Sequence, residues 1–219
     1  PYDRPSGKIG KFNIFKLYYY FMLKKIPLII AIFLLLILIP INITSFDNKF
    51  YFSEFSKYGI YEKFDRDINL EIVKVTDYIN NKGEIKSDFF NNKEKEHLKD
   101  VRNLFNISKF LIVLCIITTG ISYYFLRKRE FLDGLNKGAV LTIIIILILF
   151  IIFLINFNTS FIIFHKLMFK NDLWLLDPAK DNLIVLLPAE IFFDIAMRIL
   201  ILSFIISLAI IFFKKFRLV

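Results

Sequence analysis

Gly138-Ala139-Val140-Leu141-Thr142-Ile143-Ile144-Ile145-Ile146-Leu147-Ile148-Leu149-Phe150-Ile151-Ile152-Phe153-Leu154-Ile155-Asn156-Phe157 is a run of twenty residues without a charge. A helix crossing a lipid hydrocarbon core needs about 20 such residues, and a helix apolar on every face belongs in lipid or in a large core. Three further stretches, 26–45, 107–126 and 191–213, have the same character. The 219-residue chain is 57% hydrophobic and 17% aromatic, with a mean hydropathy of +0.59, which excludes an ordinary soluble domain. The expected fold class is an all-α membrane protein. It has four transmembrane helices and a small extracytoplasmic cap, mainly helical, with room for short strands near 49–52 and 84–86.

Charge sets the expected orientation. Segments 1–25, 127–137 and 214–219 together carry thirteen Lys/Arg and three acids (Asp3, Glu130 and Asp133), whereas the rest of the chain carries sixteen basic and seventeen acidic residues. Positive charge gathers on the cytoplasmic side of a membrane. The amino terminus (1–25), the loop 127–137 and the tail 214–219 are therefore expected inside, and the cap segment 46–106 and the interfacial segment 158–190 outside. The basic balance (pI about 9.5) is a topology signal, so no nucleic-acid partner is expected. The first span follows Lys24 and Lys25 as a signal-peptide core would, but without a small-residue cleavage site it reads as a retained anchor. Tyr18, Tyr19 and Tyr20 suit an inner aromatic belt, and Pro40 is expected to end or kink the first helix. The single Cys115 lies within an apolar run and has little thiol chemistry to offer there.

Within 46–106, Ile68, Ile72, Val75 and Ile79 fall at helical spacing behind Asp65 and Asp67, and Asn80-Asn81-Lys82-Gly83 is a stop. A second helix is expected from Asn91, with Glu94 as its capping-box partner. On that helix His97, Asp100, Val101 and Leu104 share a face, so Asp100 is expected to hold one ring nitrogen of His97. In 158–190, Thr159 or Ser160 is expected to cap a short interfacial helix carrying His165. The turn-rich run Asn171-Asp172-Leu173-Trp174-Leu175-Leu176-Asp177-Pro178 follows, with Trp174 at interfacial depth. Arg198, inside the fourth span, is expected to pair with Asp194 at i−4.

The chain has only two histidines, His97 and His165, and both fall next to the outer ends of spans beside carboxylates. Imidazole titrates near working pH and suits general acid–base chemistry. Taken alone, each has an equally simple reading as the polar tip of an interfacial helix. No phosphate-binding loop, dinucleotide fingerprint, His-Glu-x-x-His helix or Gly-x-Ser-x-Gly elbow occurs, so neither metal nor other cofactor is expected. Any acyl chemistry must then draw its nucleophile from the substrate. Two alternatives stay open at this level: a metal-dependent membrane hydrolase using the histidines as ligands, and a non-enzymatic accessory or lipid-binding protein.

Glu96-His97-Leu98-Lys99-Asp100-Val101, and His165 followed by Phe169, Asn171, Asp172, Trp174, Asp177, Pro178, Asp181, Leu183, Ile184 and Pro188, together resemble the bacterial lipoprotein intramolecular transacylase family (Lit). The likeness extends over residues 26–213, and Leu98 stands where many members have Met. The resemblance implies a cell-membrane acyltransferase that converts diacylated lipoproteins to the lyso form, moving the sn-2 acyl chain of the diacylglyceryl group to the α-amine of the N-terminal cysteine. Its partners would be that lipoprotein substrate and membrane lipids. It also implies His97 and His165 as catalytic residues. Glu96, Asp100, Asn171 and Asp172 are then expected as support, and Phe161, Phe164, Phe169, Trp174, Asp177, Asp181, Phe192 and Phe193 as substrate-binding residues that exclude water.

Overall fold

The computed structural model describes residues 24–217. Most of the amino-terminal segment 1–25, with its Tyr18–Tyr20 belt, and the end of the 214–219 tail lie outside the described residues. Within them the chain forms α1 (Ile26–Ser45), α2 (Asn48–Lys57), a 3-10 turn (Tyr61–Lys63), α3 (Ile68–Ile79), α4 (Asn92–Phe125), α5 (Lys128–Met168), α6 (Asn182–Leu186) and α7 (Ala189–Arg217). Helices α1, α4, α5 and α7 are each long and apolar enough to cross a membrane.

No strand forms among the described residues, so the room left for strands near 49–52 and 84–86 is not used. Residues 49–52 lie in α2, whose start is capped by the Asp47 side chain accepting from the Phe50 N–H at 3.4 Å. With 49–52 helical, residues 84–86 have no strand to pair with. Helix α3 follows the periodicity of its sequence. Asp67 caps it by accepting from the Asn69 and Leu70 N–H groups, and Ile68, Ile72, Val75 and Ile79 are all buried. Asn81 just beyond it takes a left-handed backbone (φ 63°), which Asn tolerates better than most residues.

The long helices outrun the membrane. At 1.5 Å per residue the 34 residues of α4 span about 51 Å, against about 30 Å of hydrocarbon. Its amino-terminal third therefore becomes a wall of the cap. There Leu98 joins a core with Phe55, Ile60, Ile72, Phe90 and Leu186. Helix α5, at 41 residues, breaks at Asn156 (φ −161°, ψ 94°). The Asn156 side chain accepts from the Thr159 N–H at 2.9 Å, so Asn156, not Thr159 or Ser160, caps the second segment. An extended backbone with a short side-chain acceptor is what an N-cap requires. The Ser160 hydroxyl donates back to the Asn156 carbonyl at 2.8 Å.

At the opposite end, only Leu126 and Arg127 separate α4 from α5, so the expected loop 127–137 is helical from Lys128 onward. The Glu130 side chain accepts from the Arg127 N–H at 3.1 Å there. Lys25 reaches Asp133 at 2.6 Å, and Lys137 reaches the same carboxylate at 3.1 Å, clipping α1 to α5. Pro40 lies inside α1, fully buried, and the helix runs on to Ser45. Beside the clip, α1 packs on α5 at Gly134 and Gly138. A Cβ at Gly134 would meet Leu28 at 2.6 Å, and one at Gly138 would meet Ile32 at 2.7 Å and the Ile29 carbonyl at 3.0 Å. Small residues allow this approach between membrane helices.

The pairing expected between Arg198 and Asp194 is not made. Arg198 donates to Asp47 at 2.6 Å and lies over the Phe50 ring at 4.7 Å. Asp194 accepts from Lys57 and from the Tyr58 hydroxyl, the latter at 2.6 Å. Two charges at i and i+4 thus turn to different parts of α2 and bolt the cap to α7, since each finds a partner fixed by tertiary packing.

Gly138→Ala should destabilise the protein by about 1–3 kcal/mol, because the added methyl meets α1 with no room to relax. In detergent the unfolding temperature should drop by about 5 °C. Gly120→Ala, where nothing lies within 4 Å of the added Cβ, should leave that temperature unchanged. Equal effects at the two positions would refute the close-approach explanation.

Candidate active site

The site is assembled by the start of α4 and the end of α5. Asn91 accepts from the Glu94 N–H at 3.1 Å while Glu94 accepts from the Asn91 N–H at 2.6 Å, completing the expected capping box. One turn on, His97 is 7% exposed, and His165 on the second segment of α5 is also 7% exposed. Their ring centroids are 6.2 Å apart with planes inclined at 35°. Residues 68 positions apart in the chain therefore meet at one place, beyond the apolar stretches 107–126 and 138–157.

The Nδ1 of His165 lies 2.7 Å from the Phe161 carbonyl one turn earlier on the same helix. A carbonyl only accepts, so Nδ1 carries the proton and Nε2 holds the free lone pair. Aromatic rings close around this imidazole. Phe161 is 4.2 Å away, Trp174 5.0 Å, Phe164 5.5 Å and Phe169 5.6 Å, centroid to centroid. The Phe169 ring also stands 5.1 Å from His97, so it touches both imidazoles.

His97 differs from expectation. Its Nδ1 is buried and has no hydrogen-bond partner among the described residues. Asp100 does not hold it. The Asp100 carboxylate instead accepts from the Asn171 side-chain N–H at 2.9 Å. A partner across the fold offers a well-aimed donor, whereas the helix neighbour His97 turns inward. Glu96 points to solvent and pairs with Lys99 at 3.2 Å, so it lies apart from the histidines. Asp172 is exposed, and its carbonyl closes a turn by accepting from the Leu175 N–H at 3.1 Å.

Asp177 and Asp181, expected to bind substrate, form a clamp within the protein. Asp181 is 5% exposed, and its two oxygens accept from the Asn91 side chain and the Asp177 N–H, both at 2.7 Å. Asp177 in turn accepts from the Ala179 N–H at 3.0 Å. The sequence reading missed the second task of Glu94. Its other oxygen accepts from the Leu183 N–H at 2.5 Å, holding α6 against α4. The capping-box spacing signalled one half of that role, but nothing in the sequence marks the distant amide. Phe192 packs on Phe161 at 5.0 Å, and Phe193 packs on Phe157 at 5.2 Å. Phe193 also lines an open cavity of about 250 Å³ with Tyr58, Phe157, Asn158, Ala189 and Glu190. Among the described residues no three His, Cys, Asp or Glu side chains converge as metal ligands.

Burial dominates the electrostatics of the pair. It lowers the pKa of His97 to about 4, helped by His165 and Lys93 and opposed by Asp100. It lowers His165 as well, against the pull of the Phe161 carbonyl. Both imidazoles are thus neutral, the state in which a histidine can accept a proton. Burial raises the Glu94 pKa, opposed by the N–H bonds from Leu183 and Asn91.

With two histidines in the chain, ring NMR signals can be followed individually. The His97 ring should stay neutral until the pH approaches 4, and the His165 ring should titrate below the free-imidazole value of about 6.5. Unfolded chain takes up a proton near pH 6.5 that folded His97 accepts only near pH 4. Its contribution to stability is therefore full above pH 6.5 and falls away as the pH drops from there towards 4. A ring titrating at 6.5 in the folded protein would mean that the cage admits water freely.

No curated protein sequence matches the chain significantly. A structure of the membrane integral lipoprotein intramolecular transacylase Lit from Bacillus cereus superposes with a TM-score of 0.81 at 25% identity, covering 90% of this chain and 95% of that one. A structure of the same Bacillus cereus protein with a histidine replaced by arginine superposes with a TM-score of 0.79 at 24% identity, covering 94% and 96%. The family described as lipoprotein intramolecular transacylase Lit matches residues 26–193. The chain is therefore an integral membrane acyltransferase and belongs to the lipoprotein intramolecular transacylase family, Lit.

Proposed function

We propose that this transacylase moves the sn-2 acyl chain of a diacylglyceryl-cysteine lipoprotein to the α-amine of the same cysteine, with His165 and His97 as its catalytic pair. The observation that carries the reading is the juxtaposition of two buried, neutral imidazoles 6.2 Å apart, one with its tautomer set by a backbone carbonyl. The substrate brings both reacting groups, so the protein needs no nucleophile of its own. Attack closes an eight-membered ring through nitrogen, Cα, Cβ, sulfur, two glyceryl carbons, the ester oxygen and the carbonyl carbon. Medium rings close poorly, and holding the two ends in contact is the main task of the site.

In this scheme the amine forms the new C–N bond to the ester carbonyl while Nε2 of His165 takes the ammonium-derived proton. The tetrahedral intermediate breaks its C–O bond, and the same proton goes to the departing sn-2 oxygen, leaving an amide and a free hydroxyl. His97 supports the oxyanion by hydrogen bonding. Its unpartnered buried nitrogen supports that role, because such a group is stabilised when a polar partner arrives. The rings of Phe161, Phe164, Phe169 and Trp174 exclude water, so the ester goes to the amine and is not hydrolysed.

Sidedness follows from charge and topology together. Helices α1 and α5 begin, and α4 ends, at the Lys25–Asp133–Lys137 end, while the histidines and the cap occupy the other. With the basic end inside, both termini are cytoplasmic and the site faces outward, where lipoproteins are displayed. The surrounding bilayer supplies lipid contacts, and no nucleic acid takes part.

Mass spectrometry of lipoprotein N-terminal peptides tests the scheme. Purified protein should convert a diacylated lipopeptide to the lyso form, and His165→Ala or His97→Ala should each lower turnover by at least ~10²-fold. His97→Gln, which keeps a donor, should retain more activity than His165→Gln. The reverse order would overturn the assignment of roles. Turnover should also persist in EDTA. Loss on chelation, restored by a divalent ion, would favour a metal-dependent reaction instead.

A further inference from the structure

Asp100 lies one turn beyond His97 on α4, and Asn171 lies between Phe169 and Trp174, the two rings that cover the histidines from the loop side. The Asn171 side-chain nitrogen donates to Asp100 at 2.9 Å. Its amide oxygen accepts from the Leu173 N–H at 3.1 Å, so both ends of the amide are used and its orientation is determined. A second side chain of α4, Lys93, donates to the Leu175 carbonyl just beyond Trp174, so Asn171–Asp100 is the bond that reaches between Phe169 and Trp174. The Phe169 N–H bonds locally, to the His165 carbonyl at 2.9 Å.

We infer that Asp100 and Asn171 are positioning residues. Their hydrogen bond latches the segment 169–174 so that Phe169 and Trp174 seat on His97 and His165. Asp100 acts through the loop and not through its charge on His97. The inference rests on the reading of the histidine pair as the reacting centre. Its structural half stands separately, because the latch predicts where Trp174 sits whether or not turnover is measured.

The donor–acceptor chemistry supplies the test. Asn171→Asp sets two carboxylates against each other and should open the latch. Asp100→Asn keeps an acceptor oxygen for Asn171 and should hold it. The double variant Asp100→Asn/Asn171→Asp restores one hydrogen bond with donor and acceptor exchanged. Trp174 is the only tryptophan in the chain, so collisional quenching of its fluorescence by acrylamide reports loop seating directly. Asn171→Asp should change quenching and lower kcat/KM by about tenfold or more, Asp100→Asn should cost less than about fivefold, and the double variant should recover both signals.

If Asp100→Asn fell as far as Asn171→Asp while quenching stayed unchanged, Asp100 would be acting by its charge on His97 and the inference would be overturned. A double variant no better than Asn171→Asp in quenching and turnover would also overturn it. If the quenching pattern held while His97→Ala and His165→Ala turned over normally, the latch would stand and the histidine reading would fall.

Discussion

A buried carboxylate holds the two halves of the site together. Glu94 is 1% exposed, and its oxygens accept from the Asn91 N–H at the start of α4 and the Leu183 N–H at the start of α6. Neither amide would otherwise have an intrahelical acceptor, since the first turn of a helix leaves its N–H groups free. Asp181, adjoining α6, accepts from the side chain of Asn91. One pair of residues, Asn91 and Glu94, thereby ties the segment carrying Trp174 and Asp181 to the helix carrying His97. The Asn171–Asp100 and Lys93–Leu175 hydrogen bonds tie the same connection to α4 nearer the histidines.

The same connection explains why the imidazoles stay neutral. Aromatic rings surround His165 on several sides and reach His97 through Phe169. Burial in such surroundings disfavours the imidazolium, and His165 disfavours it further in His97. Asp100 pulls the other way on His97 but is outweighed by burial; its carboxylate is bonded to Asn171, and that of Glu96 to Lys99. A site beside a membrane thus keeps two proton-accepting groups without a carboxylate bonded to either. The kink at Asn156 belongs to the same design. It redirects α5 so that its last turns, and His165 with them, can lie against the cap.

The cap is held to the spans by charges placed at their mouths. Arg198 and Asp194 lie on one helix but bind Asp47 and the Lys57–Tyr58 pair on α2. Ionisable groups in or near a membrane are costly unless partnered, and here α2 supplies the partners. Lys25, Asp133 and Lys137 do the corresponding work at the other end. Between these two charged belts the helices meet through small and apolar residues, with Gly138 against Ile32 as the tightest example among α1–α5 contacts involving glycine apart from Gly134 against Leu28.

The four spans, the amphipathic face of α3 and the capping box at Asn91 were legible in the sequence. Each depends on local chemistry: hydrocarbon demands continuous apolar stretches, a helix repeats every 3.6 residues, and a cap needs its acceptor three positions from its donor. The nearness of His97 and His165 was signalled by their surroundings and by likeness to a family. Their partners were not. Sequence spacing offered Asp100 to His97 and Asp194 to Arg198, and in both cases a group from another element took the place. His165 is oriented by the Phe161 carbonyl, a backbone acceptor that every residue carries and no side-chain pattern can announce. The sequence by itself thus determined which segments are apolar enough to cross a membrane and where α3 and α4 start, but not the start of α2 or of the second segment of α5. Only the tertiary structure decided which polar groups meet, because a hydrogen bond depends on distance and direction between atoms that folding brings together.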